Sequence, residues 1–369
     1  MGNHAMDTKT MENQAAENHD VLLRREGHLG HIILNRPKAI NALTHPMVTS
    51  IADALDAWEH DDTVATVLIT GTGERGLCAG GDIVAIHRDA VTGGGETAEF
   101  WADEYRLNAR IASYPKPYVA IMDGLVLGGG VGISAHGSVR IVTERTKIGM
   151  PETGIGFVPD VGGTHLLSRA PGEFGTHLAL TAGSITGPDA IALGLADHYV
   201  HSQEIPELID ALATLNAESA VGAASNALFA PAPLLAERPW ISTAYKHDTV
   251  EEILAALRAN PSSAAQAAAD AMASKSPTAL KLTLASLRAA RRSLGLVETL
   301  QREYRVSLRS LAGHDLAEGI RAQVIDKDRN PQWSPATLAE VTDADIATYF
   351  AGLGPRELGF ATEPAGTIR

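Results

Sequence analysis

The sequence is poor in cysteine, in positive charge and in long apolar runs, and each shortage excludes a class of protein. Its one cysteine, Cys78, rules out an internal disulfide and a zinc site built from several thiolates. Because free thiols suit a reducing compartment, we expect the chain to be cytoplasmic. Lys and Arg total 30 against 44 Asp and Glu, which gives a net charge of −14. Nucleic-acid binding needs a basic surface, so we expect no nucleic-acid partner.

Residues 117–139 are the stretch most similar to a membrane span, since they contain a single acid, Asp123. They also contain six glycines, which favour a buried strand, a tight turn and a short helix, and we expect no membrane partner. Residues 1–18 are polar and contain acids, unlike a secretory signal or a mitochondrial presequence. We expect this N-terminal segment to be disordered.

Short apolar runs alternate with helical patterns through the first half of the chain. Residues 64–70 (VATVLIT) and 118–122 (YVAIM) are continuous apolar runs, typical of strands covered on both faces. Residues 44–61 place apolar side chains three and four positions apart, which predicts a helix with one buried face. This alternation indicates an α/β core with crossover connections.

The second half of the chain, from about residue 202, is rich in alanine and predicts helices without strands. The predicted helices cover residues 208–229, 262–273 and 297–315, and another begins at Pro277. We therefore divide the chain into three parts. These are a disordered segment (1–18), an α/β core (19–205) and a mainly helical C-terminal region (206–369).

Two glycine-rich segments, residues 78–83 (CAGGDI) and 127–130 (LGGG), each follow a predicted buried strand. Because glycine has no Cβ, such loops let backbone N–H groups approach a ligand closely. Two loops at neighbouring strand ends can aim two N–H groups at one point, which is the geometry of an oxyanion hole. Either loop alone fits a tight turn without a ligand equally well.

Glu152 and Asp160 lie eight residues apart in a loop that contains glycines and prolines. Such a loop can fold both carboxylates into one pocket, where one acid is protonated and the other ionised. The spacing by itself also fits two solvated surface acids.

Other motifs give no site. The chain has no H-E-x-x-H segment and no Walker loop, and we expect neither a metal nor a redox cofactor. Gly130, Gly132 and Ala135 fit the outline of a dinucleotide fingerprint, but no acid follows at a strand end about twenty residues on. The segment 132–136 around Ser134 lacks the final glycine of a nucleophile elbow, and Cys78 has no base nearby in the sequence. Both residues are therefore interpreted as packing residues.

Three segments in order resemble the crotonase (enoyl-CoA hydratase/isomerase) superfamily. Residues 35–43 (NRPKAINAL) are similar to its opening CoA-binding segment, and residues 78–83 and 127–130 to its two oxyanion loops. The resemblance implies a spiral core of strand–strand–helix units that binds CoA and catalyses, followed by an extended helical region. It also implies that coenzyme A enters only as part of the substrate.

The resemblance implies roles for single residues as well. The N–H groups of Ala79 and Gly129 would hold the thioester oxygen of an acyl-CoA. Glu152 matches one of the two glutamates of hydratases, whereas the second falls at Gly132, which can do no acid–base work. The CoA and acyl groups would contact Lys38, Ala39, Ile40, Gly80, Gly81, Asp82, Ile83, Gly128 and Gly132.

Asp160 stands where hydratases have a glycine, and together with Glu152 and Gly132 it resembles the branch that hydrolyses 3-hydroxyisobutyryl-CoA in valine breakdown. Residues 276–281 (SPTALK) and 331–333 (PQW) are similar to the helical tail of that branch. The resemblance therefore implies a thioester hydrolase, in which Gly132 leaves room for a branched hydroxyacyl group.

Several alternatives stay open on the sequence alone. Glu152 by itself can serve hydration or double-bond isomerisation, and a chain with this fold can also bind acyl-CoA without turnover. A nicotinamide dehydrogenase is the remote alternative. The expected ligand is an acyl-CoA, and the resemblance implies a trimer, a hexamer or, if the tail covers the assembly surface, a monomer.

Overall fold

The structure of the chain is a computed structural model that describes residues 20–226 and 230–360. The segment expected to be disordered, residues 1–18, lies outside the described residues. The described strands are β1 (Val21–Glu26), β2 (Leu29–Leu34), β3 (Thr66–Gly71), β4 (Gly76–Cys78), β5 (Tyr118–Met122), β6 (Leu125–Leu127), β7 (Val139–Val142), β8 (Lys147–Gly149), β9 (Ser184–Thr186) and β10 (His198–Tyr199).

The strands form two sheets, a large one in the order β1-β2-β3-β5-β7-β10 and a small one in the order β4-β6-β8-β9. Neighbouring strands are parallel except for the antiparallel pairs β1–β2 and β8–β9. From β3 to β8 the chain places one strand in the large sheet and the next in the small sheet, so it advances as a spiral. The predicted α/β core with crossover connections is confirmed.

Helices surround both sheets. The described α-helices are α1 (His45–Glu59), α2 (Ile83–Thr92), α3 (Glu96–Ala112), α4 (Gly129–Gly132), α5 (Gly163–Arg169), α6 (Phe174–Thr181), α7 (Gly187–Ala192), α8 (Ile205–Leu212), α9 (Ala217–Ala224), α10 (Arg238–Ala244), α11 (Val250–Ala259), α12 (Ser263–Ala273), α13 (Pro277–Ala290), α14 (Leu296–Leu311), α15 (His314–Ile320) and α16 (Asp343–Phe350). A π-helical turn, Arg321–Ile325, follows α15 directly.

The large sheet is covered on both faces, which explains its continuous apolar strands. All five residues of β5 are buried. Helix α1 packs against one face through its buried apolar side chains. On the other face, Leu68 and Val119 lie in one apolar cluster with Leu208 and Leu212 of α8 and with residues of α9. The first helices after residue 205 therefore complete the core instead of forming a separate layer.

The strands of the small sheet were not predicted, because runs of three residues beside glycine loops show no periodic pattern.

Two segments that were each predicted as one helix form two helices in the structure. Residues 208–229 were predicted as one helix, but Asn216 ends that run by capping α9, accepting a hydrogen bond from Ser219 N at 2.8 Å. Residues 227–229 lie outside the described part. The predicted helix over residues 297–315 is broken at Gly313, between α14 and α15.

The later C-terminal helices pack against the glycine-loop end of the core. Helix α13 contacts α5, α14 contacts α3, and α15 contacts both α2 and the short 3₁₀ helix Glu152–Ile155. This packing brings the C-terminal region next to the predicted acids. Each helix in the described ranges is too short or too polar to span a membrane.

Candidate active site

The two glycine loops meet because they follow β4 and β6, which are parallel neighbours in the small sheet. Gly80 and Gly128 have φ angles of +104° and +50°, a backbone conformation that glycine adopts without a steric penalty. A Cβ atom on Gly129 would lie 3.4 Å from the nitrogen of Gly81. The loops therefore touch backbone to backbone, and the sequence was right to bring them together.

The free N–H groups at this contact belong to Gly81 and Gly129. Neither N–H donates a hydrogen bond to any residue in the described ranges. Gly129 is the first residue of α4, where an N–H has no partner within the helix. The N–H of Ala79, in contrast, donates to the carbonyl of Ile40 at 2.9 Å. The prediction that Ala79 is an oxyanion donor is therefore wrong, and the geometry favours Gly81 in its place.

The predicted CoA-binding segment forms a turn beside the first glycine loop. Lys38 and Ala39 are exposed in the 3₁₀ turn Pro37–Ala39, and Ile40 follows with a φ of +49°. The buried side chain of Asn41 ties this turn to β4 by donating to the Leu77 carbonyl at 3.0 Å. These residues lie outside the main cavity.

Asp82 also lies outside the main cavity and has a structural role. Its carboxylate caps α2 by accepting from Ala85 N at 3.3 Å, and it pairs with the Arg36 guanidinium at 3.1 Å. This pair links the opening segment to the first glycine loop.

A cavity of about 380 Å³ opens in front of the glycine loops, within the usual range of small-molecule sites. Trp101 and Phe157 line it as a stacked pair, with ring centroids 5.2 Å apart. The predicted residues that line it are Ala79, Gly80, Gly81, Ile83, Gly128, Gly129, Glu152 and Asp160. The structure thus brings most of the predicted site into one cavity.

Three buried carboxylates face this cavity: Glu104, Glu152 and Asp160, which are 2%, 7% and 5% exposed. A Cβ on Gly128 would lie 2.7 Å from Glu152 Oε1, and a Cβ on Gly129 would lie 2.6 Å from Glu104 Oε1. Two of the acids therefore rest directly on the second glycine loop, which has room for them only because it lacks side chains.

The sequence reasoning missed Glu104, which is far from the other acids along the chain. A signal was present, since Glu104 falls on the apolar stripe of α3 together with the buried Phe100, Leu107 and Ile111. An acid on such a stripe must be buried, and a buried acid without a cation partner is a candidate functional group.

The cavity environment separates the three acids. Burial raises the pKa of Glu104 and of Glu152 well above the usual range, and the charge of Asp160 raises both further. Burial also raises the pKa of Asp160, to about 7, but the Tyr105 hydroxyl opposes this by donating a 2.7 Å hydrogen bond to its carboxylate. The Tyr105 hydroxyl therefore favours the ionised form of Asp160, whereas the charge of Asp160 favours the protonated form of Glu152.

Gly132 does not line the cavity, so the prediction that it leaves room for the acyl group is wrong. A Cβ at this position would lie 2.7 Å from the Val161 Cβ and 2.9 Å from the Asn108 amide nitrogen. The space is already filled by Val161, the neighbour of Asp160. The missing side chain at Gly132 lets the Asp160 loop pack against α4.

The two residues interpreted as packing are indeed buried. Burial raises the pKa of the Cys78 thiol to about 12, so it is not a thiolate at neutral pH. Ser134 donates to the Gly130 carbonyl at 2.6 Å. In the part of the chain that the structure describes, no group of three or more His, Cys, Asp or Glu side chains is arranged to hold a metal ion.

Comparison with known proteins gives consistent matches. Residues 29–350 match the enoyl-CoA hydratase/isomerase family. Among curated proteins, "3-hydroxyisobutyryl-CoA hydrolase, mitochondrial" of Gallus gallus is 40% identical, over 92% of this chain and 90% of its own length. The protein of the same name from Rattus norvegicus is 41% identical, over 93% and 92%. These names place the relatives in mitochondria and give no support to the cytoplasmic prediction.

Two crystal structures share the fold over almost the whole chain. A carnitinyl-CoA dehydratase from Mycobacterium thermoresistibile is 56% identical with a TM-score of 0.90, over 94% of this chain and 100% of that one. An enoyl-CoA hydratase from Rhodobacter sphaeroides is 42% identical with a TM-score of 0.87, over 92% and 100%. The spiral core with a helical C-terminal region, expected from the resemblance, is confirmed.

Proposed function

Because the chain belongs to the enoyl-CoA hydratase/isomerase family, we propose that it hydrolyses an acyl-CoA thioester, with 3-hydroxyisobutyryl-CoA as the substrate. The observation that carries this proposal is the buried pair Glu152 and Asp160 beside two free backbone donors. The substrate is suggested by the relatives of that name, which are about 40% identical over more than nine-tenths of the chain.

In this proposal the N–H groups of Gly81 and Gly129 hold the thioester oxygen. Water attack places negative charge on this oxygen, and donors that already point at it lower the barrier without reorganisation. Loss of one such donor typically costs about 3–4 kcal/mol. The role of backbone donors explains why glycines, and not polar side chains, mark this part of the cavity.

Asp160 and Glu152 divide the proton transfers. Ionised Asp160 takes a proton from the attacking water, whose oxygen bonds to the thioester carbon. The tetrahedral intermediate then expels the sulfur, and protonated Glu152 gives its proton to the departing CoA thiolate. The products are the free hydroxy acid and CoA, and a proton passes from Asp160 to Glu152 before the next turnover.

A second route uses Glu152 as a nucleophile, which attacks the thioester carbon and forms an acyl–Glu152 anhydride that water then cleaves. The two routes differ in whether Glu152 can exchange an oxygen atom with water. In a single turnover in ¹⁸O-water, attack of water on the anhydride's Glu152 carbonyl carbon places the label in Glu152, whereas direct attack of water on the thioester cannot. Label in the peptide that contains Glu152, detected by mass spectrometry, would therefore identify the anhydride route.

A second candidate function is hydration or dehydration at an acyl-CoA double bond. The observation that favours it is Glu104, which supplies another protonated carboxyl beside Gly129, as a two-acid hydratase would need. The two similar crystal structures are those of a carnitinyl-CoA dehydratase and an enoyl-CoA hydratase. A protein that binds acyl-CoA without turnover is a further alternative, which the three buried acids do not favour.

One assay separates these functions. Purified protein is mixed with 3-hydroxyisobutyryl-CoA while a disulfide dye reports free CoA, and a parallel sample follows the absorbance of crotonyl-CoA. Rapid thiol release with an unchanged crotonyl signal is the expected result. Loss of the crotonyl chromophore without thiol release would assign hydration instead, and no change in either sample would indicate a binding protein.

The predicted place of this reaction in valine breakdown has its own test. A strain that lacks the chain should accumulate 3-hydroxyisobutyryl-CoA when valine is supplied, and the unaltered sequence should reverse the accumulation. Growth and metabolite levels indistinguishable from the parent strain would contradict the valine assignment while leaving thioester hydrolysis intact.

A further inference from the structure

Asp160 differs from the other two cavity acids because buried hydroxyl groups hold it from outside the cavity. Tyr105 on α3 donates from its hydroxyl to Asp160 Oδ2 at 2.7 Å. Ser307 on α14 places its own hydroxyl oxygen 2.8 Å from the Tyr105 oxygen. Tyr105 and Ser307 are fully buried, and neither lines the cavity.

The number of available protons fixes which group donates in each hydrogen bond of the Ser307–Tyr105–Asp160 series. A phenol has one proton, and Tyr105 gives it to the carboxylate when Asp160 is ionised. Ser307 must then donate its proton to the Tyr105 oxygen, so that both hydroxyl groups point toward Asp160. This arrangement favours the charged form of Asp160 over the neutral one, because a carboxylate accepts such a bond more strongly.

The same face of α14 also holds the backbone that follows Asp160. Glu303, one helical turn before Ser307, accepts from the N–H of Gly162 at 2.7 Å and from the N–H of Thr164 at 3.0 Å. The loop needs this support, because Val161 has a φ of +52°, which is unfavourable for a β-branched residue.

We infer that Tyr105 and Ser307 are positioning residues that orient Asp160 and favour its ionised form, so that helix α14 makes the C-terminal region part of the active site. This inference rests on the proposed hydrolysis, in which ionised Asp160 activates water. The function would then depend on a helix that lies about 150 residues after Asp160 in the sequence.

The other ionisable groups around Asp160 make this donor important. Glu104 on α3, Glu152 on its 3₁₀ helix and Glu303 on α14 are all carboxyls, so any charge on them opposes ionisation of Asp160. His136 contacts the Val161 carbonyl at 2.8 Å, but burial lowers its pKa to about 4, so it supplies no positive charge at neutral pH.

The test compares Tyr105→Phe and Ser307→Ala with Tyr118→Phe as a matched control. Tyr118 is also fully buried, and its hydroxyl donates to the Ile133 carbonyl at 2.9 Å, away from the cavity. The measurement is kcat and KM for 3-hydroxyisobutyryl-CoA between about pH 5 and pH 9. We expect the acid limb of kcat in Tyr105→Phe to move up by about one pH unit, a tenfold loss below pH 7, with KM within about twofold.

Ser307→Ala should shift the same limb in the same direction by less, because Tyr105 keeps its bond to Asp160. Tyr118→Phe should keep the pH dependence of kcat of the unaltered protein, even where its melting temperature falls by as much as that of Tyr105→Phe. An unshifted limb in Tyr105→Phe, or an equal shift in Tyr118→Phe, would overturn the inference. Either result would mean that Tyr105 contributes to packing alone.

A second readout does not depend on turnover. The protonated carboxyl of Asp160 gives an infrared band that is identified by its loss in Asp160→Asn, and its titration reports the pKa of Asp160 directly. We expect Tyr105→Phe to raise this pKa by about one unit. If the unaltered protein releases no CoA, the proposed function fails, and this titration still decides whether Tyr105 favours the ionised form of Asp160.

Discussion

The glycine loops and the C-terminal helices build the same cavity in different ways. The loops act through their own backbone, since Gly81 and Gly129 present free N–H groups and Gly128 leaves space for Glu152. The helices act through contacts with distant segments, such as the hydrogen bond from the N–H of Gly162 to Glu303, which lies 141 residues later in the sequence. The backbone contribution of the loops can be predicted from a few neighbouring residues, whereas the contribution of the helices depends on the packing of the whole chain.

The backbone loops and the helices should respond differently to mutation. If the loops alone made the site, substitutions in the C-terminal helices would lower the melting temperature but would not change kcat at temperatures where the variant remains folded. If the helices position the acids, as their contacts indicate, both properties should change together. Four substitutions test this, taken from the largest expected effect to the smallest.

Glu152→Gln should have the largest effect on turnover, about a thousandfold loss of CoA release, because glutamine cannot transfer a proton or form an anhydride. KM should change little, since the shape of the side chain is kept. The assay is dye-detected CoA release with 3-hydroxyisobutyryl-CoA. Full activity in this variant would show that the acid on the glycine loop is not used.

Gly129→Ala tests the loops from the backbone side. The added methyl group would lie 2.6 Å from Glu104 Oε1 and 3.4 Å from the Gly81 nitrogen, so it must displace the acid and crowd the oxyanion position. We expect kcat to fall about a hundredfold. The matched control is Gly222→Ala on α9, where a Cβ meets nothing within 4 Å and the melting temperature should rise slightly. Equal activities in the two variants would exclude this part of the loop from the site.

Gly319→Ala tests the helices. A Cβ on Gly319 of α15 would lie 2.2 Å from the carbonyl oxygen of Ile155, so α15 must move away from the 3₁₀ helix that carries Glu152. We expect about a tenfold loss of kcat together with a lower melting temperature. Gly222→Ala again serves as the control. A lower melting temperature with unchanged kcat would assign α15 a purely stabilising role.

Glu104→Gln should have the smallest effect of the four substitutions. We expect this effect in the way the melting temperature depends on pH. Burial raises the pKa of Glu104 in the folded chain above its unfolded value, so the folded state binds more protons and loses stability as pH rises above about 5. Glutamine removes this loss. Relative to the parent, the melting temperature of Glu104→Gln should therefore be higher at pH 8.5 than at pH 5.5 by roughly 2 °C or more.

A parent and a Glu104→Gln variant with parallel melting curves across that range would show that Glu104 keeps its ordinary pKa in the folded chain. Glu104 would then have to be solvated or paired with a cation. Turnover of the same variant, measured beside the melting curves, would show separately whether the third acid takes part in the reaction.

The sequence predicted the elements whose signals are local. Helix α1 was predicted over residues 44–61 and spans His45–Glu59, and β5 was recognised because every residue in the run is apolar. The small sheet escaped detection because its strands have three residues each, too few for a periodic pattern. Yet this sheet aligns the two glycine loops, so the site was predicted without the element that assembles it.

Single residues show where sequence reasoning stops. The glycine and alanine at positions 79–81 are equivalent as small residues, and only the hydrogen bond from Ala79 to Ile40 distinguishes the occupied donor from the free one at Gly81. Gly132 was interpreted as space for a substrate, whereas Val161 fills that space from a loop that approaches in the folded chain. In both cases the deciding atom belongs to a segment that is remote in the sequence.

Patterns over a few neighbouring residues were enough to predict the α/β core with crossover connections, the glycine loops and two acids within one loop, whereas the spiral was implied by the family resemblance alone. Packing of the folded chain determines which N–H groups are free, brings Glu104 to the other acids, and places Tyr105 and Ser307 behind Asp160. The reason is physical: a donor's availability and a carboxyl's pKa depend on burial and on partners brought from distant segments by packing.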